Sequence, residues 1–286
     1  MIVLKTVDEV ARWREGVGGA CVLVPTMGAL HAGHAALVRQ GAATGGVGVP
    51  VLVSVFVNPT QFNDPADFAR YPKTLDADVA LCAEAGARAI WAPGVEDVYP
   101  PGREVAVGVG VGVGDLPAVA TTPGLEDAHR PGHFAGVCQV VRRLFDVVRP
   151  RAAVFGEKDW QQLAVVRAMV AMDREAGVER PDIVAGVTVR EPDGLAMSSR
   201  NRFLTAADRV RGLSLSRALA RAASIADPGA AESAMRETLR AAGVEPEYAV
   251  VRDAATLLAP VLGRPVRRLI AAKVGGVGAV RLIDNA

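Results

Sequence analysis

Short, nearly continuous apolar runs separated by helix-length stretches constrain this chain most. Residues 47–57 read Val-Gly-Val-Pro-Val-Leu-Val-Ser-Val-Phe-Val, the pattern of a strand covered on both faces. Residues 22–24, 89–91 and 152–155 are briefer runs of the same kind. Between them lie stretches with helical character. Residues 7–16 carry Val7, Val10 and Trp13 at helical spacing, and further helices are expected at about 76–86 and 134–148. Strand and helix in this alternation predict a parallel α/β sheet. In such sheets ligands bind beyond the carboxyl ends of the strands. Polar motifs follow three of the runs, at 25–34, 58–62 and 156–162.

The first of these motifs is the most informative. After the apolar run, Pro25 to Gly28 turns the chain, and apolar, helix-compatible residues resume from His34 onward. A strand, a tight turn and a helix start gather backbone N–H groups at one mouth, where the helix dipole favours a negative group. His31 and His34 are three residues apart and can share one face, and Gly33 between them leaves room for a ligand near the backbone. A phosphate is the simplest occupant. A His-x-x-His metal site is the competing reading, but no third ligand stands at a suitable spacing. The plainest alternative is that both rings cap a helix and pack.

Composition excludes several classes. The chain has 286 residues, 50% of them hydrophobic, which is enough for one large domain or two medium ones. Lys+Arg 32 against Asp+Glu 31 leaves a net charge of +1, with no basic field for nucleic acid. Aromatic residues make up only 5%, too few for a base-stacking platform. Cys21, Cys82 and Cys138 are far apart and read as reduced core thiols of a cytoplasmic protein. No signal peptide and no membrane span is expected. The alternating Val-Gly repeat at 105–114 precedes no helix start and reads as a strand or connector without chemistry. Residues 121–133 read as a loop beside the cleft, and its His129 and His133 receive no role.

After Pro181 the character changes. A β-rich piece at 183–189 leads to a polar segment containing Ser198, Ser199 and Arg200, whose hydroxyls and guanidinium suit phosphate oxygens. Helices are expected at about 205–226 and 229–242, and strands near 247–252, 267–274 and 279–283. The expected division is a first domain over 1–187 and a smaller α+β domain over 188–286.

Five segments together resemble the pantoate–β-alanine ligase family. They are Pro25-Thr-Met-Gly-Ala-Leu-His-Ala-Gly-His34, Phe56-Val-Asn-Pro-Thr-Gln-Phe62, Arg130-Pro-Gly-His-Phe-Ala-Gly-Val137, Phe155-Gly-Glu-Lys-Asp-Trp-Gln-Gln-Leu163 and Arg190-Glu-Pro-Asp-Gly-Leu-Ala-Met-Ser-Ser-Arg-Asn201. Tyr71-Pro-Lys-Thr74 and the final Arg281-Leu-Ile-Asp-Asn285 resemble it too, so the match runs through nearly the whole chain in the family's order. The resemblance implies a HIGH-type nucleotidyltransferase fold, with a Rossmann-like N-terminal domain and a smaller C-terminal lid domain. It implies a homodimer and an ATP- and Mg²⁺-dependent ligase that joins pantoate to β-alanine through a pantoyl adenylate, releasing AMP and pyrophosphate.

The same resemblance assigns residues. Met27, Gly28, Ala29, Leu30, His31, Ala32, Gly33 and His34 match the nucleotide-binding turn. Gly156, Glu157, Lys158 and Asp159 match its second wall, and Val189, Met197, Ser198, Ser199 and Arg200 match the contacts from the lid. His34, His31, Lys158 and Arg200 are the implied catalytic groups. Gln61 and Gln162 match the pantoate contacts, and Gln61 also the β-alanine site; neutral amides can read hydroxyls and a carboxylate without neutralising the attacking oxygen. Metal ligands stay unassigned. Asp78 reads either as an outer-shell Mg²⁺ partner or as an ordinary solvated helical carboxylate, since position 77, where the family often has another carboxylate, is Ala77. A nucleotidyltransferase of the same superfamily with a stable nucleotidylated product is the alternative, but it has no need of Gln61 and Gln162. A catalytically idle binding protein would have no need of intact His34, Lys158, Ser198, Ser199 and Arg200.

Overall fold

Consecutive residues of the central strands are sealed from water on both faces: Val22, Leu23 and Val24 in one, Val51, Leu52 and Val53 in the next. That is the consequence of a parallel sheet covered by helices on each side. A computed structural model describes residues 1–99, 115–276 and 278–286; the 105–114 repeat lies outside them. The structure divides into two units, one formed by Met1–Glu157 with Gln162–Gly186 and the other by Lys158–Gln161 with Val187–Ala286.

The first unit begins with β1 (Ile2–Leu4), α1 (Val7–Gly16), β2 (Val22–Thr26), α2 (Ala32–Gly45) and β3 (Val51–Val55). It continues through α3 (Pro65–Arg70), α4 (Leu75–Glu84), β4 (Ala89–Trp91) and α5 (Val95–Val98). After the undescribed stretch come α6 (Glu126–His129), α7 (His133–Val148) and β5 (Ala152–Gly156). Helix α8 (Trp160–Glu175), from Gln162 onward, and β6 (Asp182–Gly186) complete it. The sheet order is β1-β4-β3-β2-β5-β6, with every pairing parallel. Local chemistry sets the helix ends. Thr6 and Glu9 form a capping box at α1, which buries Val10 and Trp13. Asp64 caps α3 with Pro65 at its first position.

Several elements differ from the expectation, among them residues 121–133, expected as a loop, which contain α6 and the first residue of α7. The apolar run at 47–57 is strand only over Val51–Val55. Its first residues form a turn, with Gly46 and Gly48 at φ +74° and +84° and Val47 fully exposed. Apolar residues in such a turn cannot be told from strand residues by hydropathy alone. Helix α2 starts at Ala32, earlier than His34, because His31 supplies its N-cap. Strand β6 stops at Gly186, short of 189. The edge strand β1, whose Ile2 and Val3 are largely exposed, gave no expectation.

The second unit contains α9 (Ala206–Ala222), α10 (Pro228–Ala241), β7 (Pro246–Asp253), β8 (Val266–Val274) and β9 (Val280–Asn285). The strands form an antiparallel sheet in the order β7-β8-β9. Leu215 and Leu219 from α9 and Met235 and Leu239 from α10 share a buried core with Val251 and Ile270 of that sheet. Residues 158–161 belong here by contact although they follow β5 in sequence. The Trp160 indole donates to Ala254 O at 3.1 Å and lies 3.9 Å below the Arg267 guanidinium, and the Asn285 amide donates to Lys158 O at 2.7 Å. Those ties join 158–161 to the second unit, whereas the expected boundary kept everything before 188 in the first.

Candidate active site

From β2 the chain runs outward through β3 to β4, then returns to place β5 on the other side of β2. The carboxyl ends of β2 and β5 therefore flank the point where the strand order reverses, which is where α/β sheets open a crevice. The loop after β2 is the His-x-Gly-His turn. Gly156 closes β5, in register with Gly186 of β6.

The turn is tightly built. The Thr26 hydroxyl donates to Ser54 O at 2.7 Å and accepts from Gly28 N at 3.2 Å, tying the turn to β3. Gly28 and Ala29 both have left-handed backbone, at φ +84° and +51°. A Cβ on Gly28 would meet Val55 Cγ1 at 3.0 Å and Asp78 Oδ2 at 3.1 Å, so only glycine fits. Ala29 is fully buried in a conformation that non-glycine residues seldom adopt. Asp78, from α4, accepts hydrogen bonds from Ala29 N at 3.1 Å and Leu30 N at 2.8 Å. The Thr74 hydroxyl adds a third at 3.1 Å. Asp78 is 2% exposed, so the reading of it as a solvated helical carboxylate is corrected: its partners are backbone amides of the turn.

His31 and His34 both cap α2. His31 Nδ1 accepts from Gly33 N at 3.2 Å, and His34 Nδ1 accepts from His31 N at 3.3 Å. Their ring centroids are 4.1 Å apart. An Nδ1 that accepts a backbone N–H carries no hydrogen, so in the neutral ring the proton sits on Nε2. The capping reading of these histidines is met on Nδ1, and the donor reading concerns the other nitrogen.

Gln61 sits in the 3-10 turn Pro59–Gln61 beyond β3 and is buried. Its side-chain nitrogen donates to Met27 Sδ at 3.2 Å, which brings Gln61 against the histidine turn. Asn58 Nδ2 donates to Gln61 Oε1 and to Gly136 O, each at 3.2 Å. The Tyr99 hydroxyl donates to Asn58 Oδ1 at 2.7 Å. Burial pushes the Tyr99 phenol up to about 12, against the pull of its hydrogen bonds with Thr60 and Asn58, so it remains a hydroxyl at neutral pH. The backbone of Gln61 is held as firmly. His133 Nδ1–H donates to Gln61 O at 2.8 Å and Arg130 Nη2 donates to it at 3.3 Å, while Arg130 Nη1 reaches His133 Nε2 at 3.1 Å. Helix α7 comes so close that a Cβ on Gly136 would stand 2.6 Å from Thr60 C and O.

Asn58, Tyr99, Arg130, His133 and Asp78 were assigned no such role from sequence. Four of them lie in or beside recognised segments, but the bonds join residues far apart in the chain, and Tyr99 has no motif at all. Gln162 lies half-buried in the first turn of α8, and Gly156 and Glu157 are also partly exposed.

The remaining assigned residues lie in the second unit. Lys158 Nζ is 3.8 Å from Asp159 Oδ1. Val189 and Met197 face each other across a short hairpin, with Met197 N donating to Val189 O at 3.0 Å and Arg190 bridging to Ala196. Arg190 grips Asp284 with two bonds of 2.7 and 2.9 Å, and Asn201 donates to Glu191 at 2.7 Å. This bracing presents Ser198, which caps the 3-10 turn Ser199–Phe203 by accepting from Arg200 N at 3.3 Å. Accepting there leaves the hydroxyl hydrogen of Ser198 as a donor. Among the described residues no group of three or more His, Cys, Asp or Glu could hold a metal, and no helix is long and apolar enough to cross a membrane.

A model of the pantoate-beta-alanine ligase family matches residues 2–286. The chain belongs to that family. Pantothenate synthetase of Myxococcus xanthus is 47% identical over 295 residues, covering 99% of this chain and 94% of the relative. The Rubrobacter xylanophilus pantothenate synthetase is 49% identical, with 96% of this chain and 93% of the relative covered. Among solved structures, pantothenate synthetase from Thermus thermophilus superposes with a TM-score of 0.84 at 40% identity, covering 100% of this chain and 99% of that one. Pantoate-beta-alanine ligase from Francisella tularensis, complexed with beta-gamma ATP and beta-alanine, gives a TM-score of 0.79 at 29% identity, with coverage of 100% and 97%. The chain is thus a ligase of pantothenate biosynthesis. A parallel Rossmann-like sheet followed by a smaller antiparallel sheet is the architecture of pantoate–β-alanine ligases.

Proposed function

We propose that the protein condenses pantoate with β-alanine at the expense of ATP, by way of an enzyme-bound pantoyl adenylate. The observation that carries this reading is the Gln61–Met27 contact, which sets a buried hydroxy-acid reader against a turn built for phosphate. The Francisella relative, complexed with beta-gamma ATP and beta-alanine, supports it.

In the first step a pantoate carboxylate oxygen attacks the α-phosphorus, and the bond to the β-phosphate oxygen breaks to release pyrophosphate. No proton needs to be removed. The requirement is to bring two anions together and to stabilise charge growing on phosphoryl oxygens. The Nε2–H groups of His34 and His31 are neutral donors for that charge, and backbone amides of residues 27–34 line the nucleotide. The other nucleotide-binding residues of the proposal are those that the family resemblance assigns, Gly156, Glu157, Lys158, Asp159, Val189, Met197, Ser198, Ser199 and Arg200. Lys158 and Arg200 supply full positive charge. Gln61 and Gln162 hold pantoate through amides that leave the attacking carboxylate charged. In the second step the β-alanine amine attacks the acyl carbon beside Gln61, AMP departs, and the nitrogen loses a proton as the amide forms. The Mg²⁺ that accompanies ATP finds no preformed cage among the described residues, and the Asp78 oxygens are engaged by N–H and O–H donors. Mg²⁺ bound with ATP would shield the charge of the triphosphate. A cytoplasmic homodimer completes the proposal.

Incubation with ATP, Mg²⁺, pantoate and β-alanine should yield AMP and pantothenate in equal amounts, and pantoate alone should support exchange of pyrophosphate into ATP. A stable nucleotidylated product, or no AMP with both acids present, would overturn the reading. Sedimentation velocity tests the dimer.

A further inference from the structure

We infer that Asp78 is a positioning residue for the nucleotide step: it acts by clamping the left-handed Gly28–Ala29 turn that presents His31 and His34. The inference rests on the ligase reading for its kinetic consequences but not for the clamp itself. Four observations converge. Both carboxylate oxygens are engaged by the turn, Oδ2 by Ala29 N at 3.1 Å and Oδ1 by Leu30 N at 2.8 Å. The turn needs holding, because Ala29 at φ +51° lies in a backbone region that L side chains disfavour. The carboxylate is itself fixed. It lies in the first turn of α4, where the helix dipole favours negative charge, and the Thr74 hydroxyl donates to it in place of capping the helix. Finally, Leu30 N is immediately followed by His31 N, the donor to His34 Nδ1. A change in the clamp is therefore passed along the backbone to both imidazoles.

Asp78→Asn tests this. The amide keeps one acceptor oxygen but turns an NH₂ toward a backbone N–H, so one of the two turn bonds is lost. Pantoate-dependent pyrophosphate exchange should fall about 10–100-fold, the scale of a misplacement near 1 Å. The KM for β-alanine should stay within about twofold. In a His34→Ala background the same change should cost clearly less than in the wild type, because part of its effect runs through that histidine. Thr74→Val, a milder change, should move the exchange rate in the same direction by a smaller factor and serves if Asp78→Asn does not fold. Multiplicative losses in the double variant would overturn the inference. So would a shift in the Mg²⁺ concentration for half-maximal rate with the exchange rate at saturating Mg²⁺ intact, which would make Asp78 a cation ligand. Amide hydrogen exchange judges the clamp without any activity. Ala29 and Leu30 should lose at least tenfold of their protection in Asp78→Asn while α8 keeps its own, and unchanged protection at Ala29 and Leu30 would refute it. A wild-type protein that makes no AMP would fail the ligase reading and leave this exchange measurement decisive.

Discussion

Gly136→Ala offers a sharp test of how Gln61, the proposed pantoate contact, is held. Gly136 lies in α7, and a methyl group there would sit 2.6 Å from Thr60 C and O and 2.8 Å from Gln61 N. These neighbours are backbone atoms, so no side chain can rotate away. To regain an ordinary contact of 3.4 Å, the helix and the Pro59–Gln61 turn must part by about 0.8 Å. That motion stretches the Asn58–Gly136 bond and the two donors from Arg130 and His133 onto Gln61 O. Overpacking costs about 1–3 kcal/mol, while replacing glycine in a helix returns about 1 kcal/mol, so the net destabilisation is about 0–2 kcal/mol. For a unit of this size that lowers Tm by roughly 0–8 °C. The functional effect should be far larger, because a displacement near 1 Å at a positioning group costs about 10²-fold. We expect kcat/KM for pantoate to fall by about that factor, with KM for ATP within about threefold of wild type. Coupled AMP release at varied pantoate and varied ATP, alongside a thermal melt, measures both. A variant with activity within threefold of wild type and an unchanged or raised Tm would refute the argument that this close approach sets Gln61.

Other expectations follow from the same geometry. His34→Ala should lower the adenylation rate by about 10²–10³-fold, as when one transition-state donor is removed; a loss under about threefold would make the ring structural only. Gln162→Ala should raise KM for pantoate about tenfold, near the worth of one hydrogen bond, and leave ATP within about twofold; equal weakening of both rejects the assignment. Burial opposes ionisation of Asp173, but hydrogen bonds from Arg142 and Arg180 outweigh it and hold its carboxyl below the usual 3.8. A lowered pKa contributes stability above the unfolded value and loses it as pH falls through the folded one. Asp173→Asn should therefore cost about 3–5 kcal/mol at neutral pH and much less in acid, below about pH 4. Parallel urea midpoints for the two proteins across that range would contradict this. Burial raises the Cys21 thiol to about 11 and the Cys82 and Cys138 thiols to about 12. Iodoacetamide at pH 8 should leave all three unlabelled in the native protein and label all three in denaturant.

What could be read from the chain, and what could not, divides along a physical line. The central strands were legible because burial on both faces forces consecutive apolar residues, as in Val22, Leu23 and Val24. The same signal misled at Val47, where apolar residues stand in a glycine turn in full solvent. The histidine turn was legible as a pattern of residue types. Asp78 was not. Its partners are backbone amides 48 and 49 residues away, and a backbone N–H leaves no mark in the sequence. His133 escaped for the same reason, since its acceptor is the carbonyl of Gln61. The allegiance of residues 158–161 hinged on contacts of Trp160 and Lys158 with Ala254, Arg267 and Asn285, near the far end of the chain.

His31, His34 and His133 show how one side chain serves opposite ends. His31 and His34 take a backbone N–H on Nδ1, which forces the hydrogen onto Nε2. His133 gives its Nδ1–H to the Gln61 carbonyl and takes the Arg130 guanidinium on Nε2. Its hydrogen is committed to a buried carbonyl, so it sets a backbone position and has no proton to offer a substrate. In the first two rings the cap is what makes the ring a donor, and a residue that capped without a second nitrogen could not do both. If the turn binds phosphate, as proposed, this explains why its helix can begin with histidine where serine, threonine or aspartate would cap as well or better. Serine or threonine has only a short hydroxyl near the backbone, and aspartate would bring a negative charge to an anion site. An imidazole reaches past the cap with a neutral N–H.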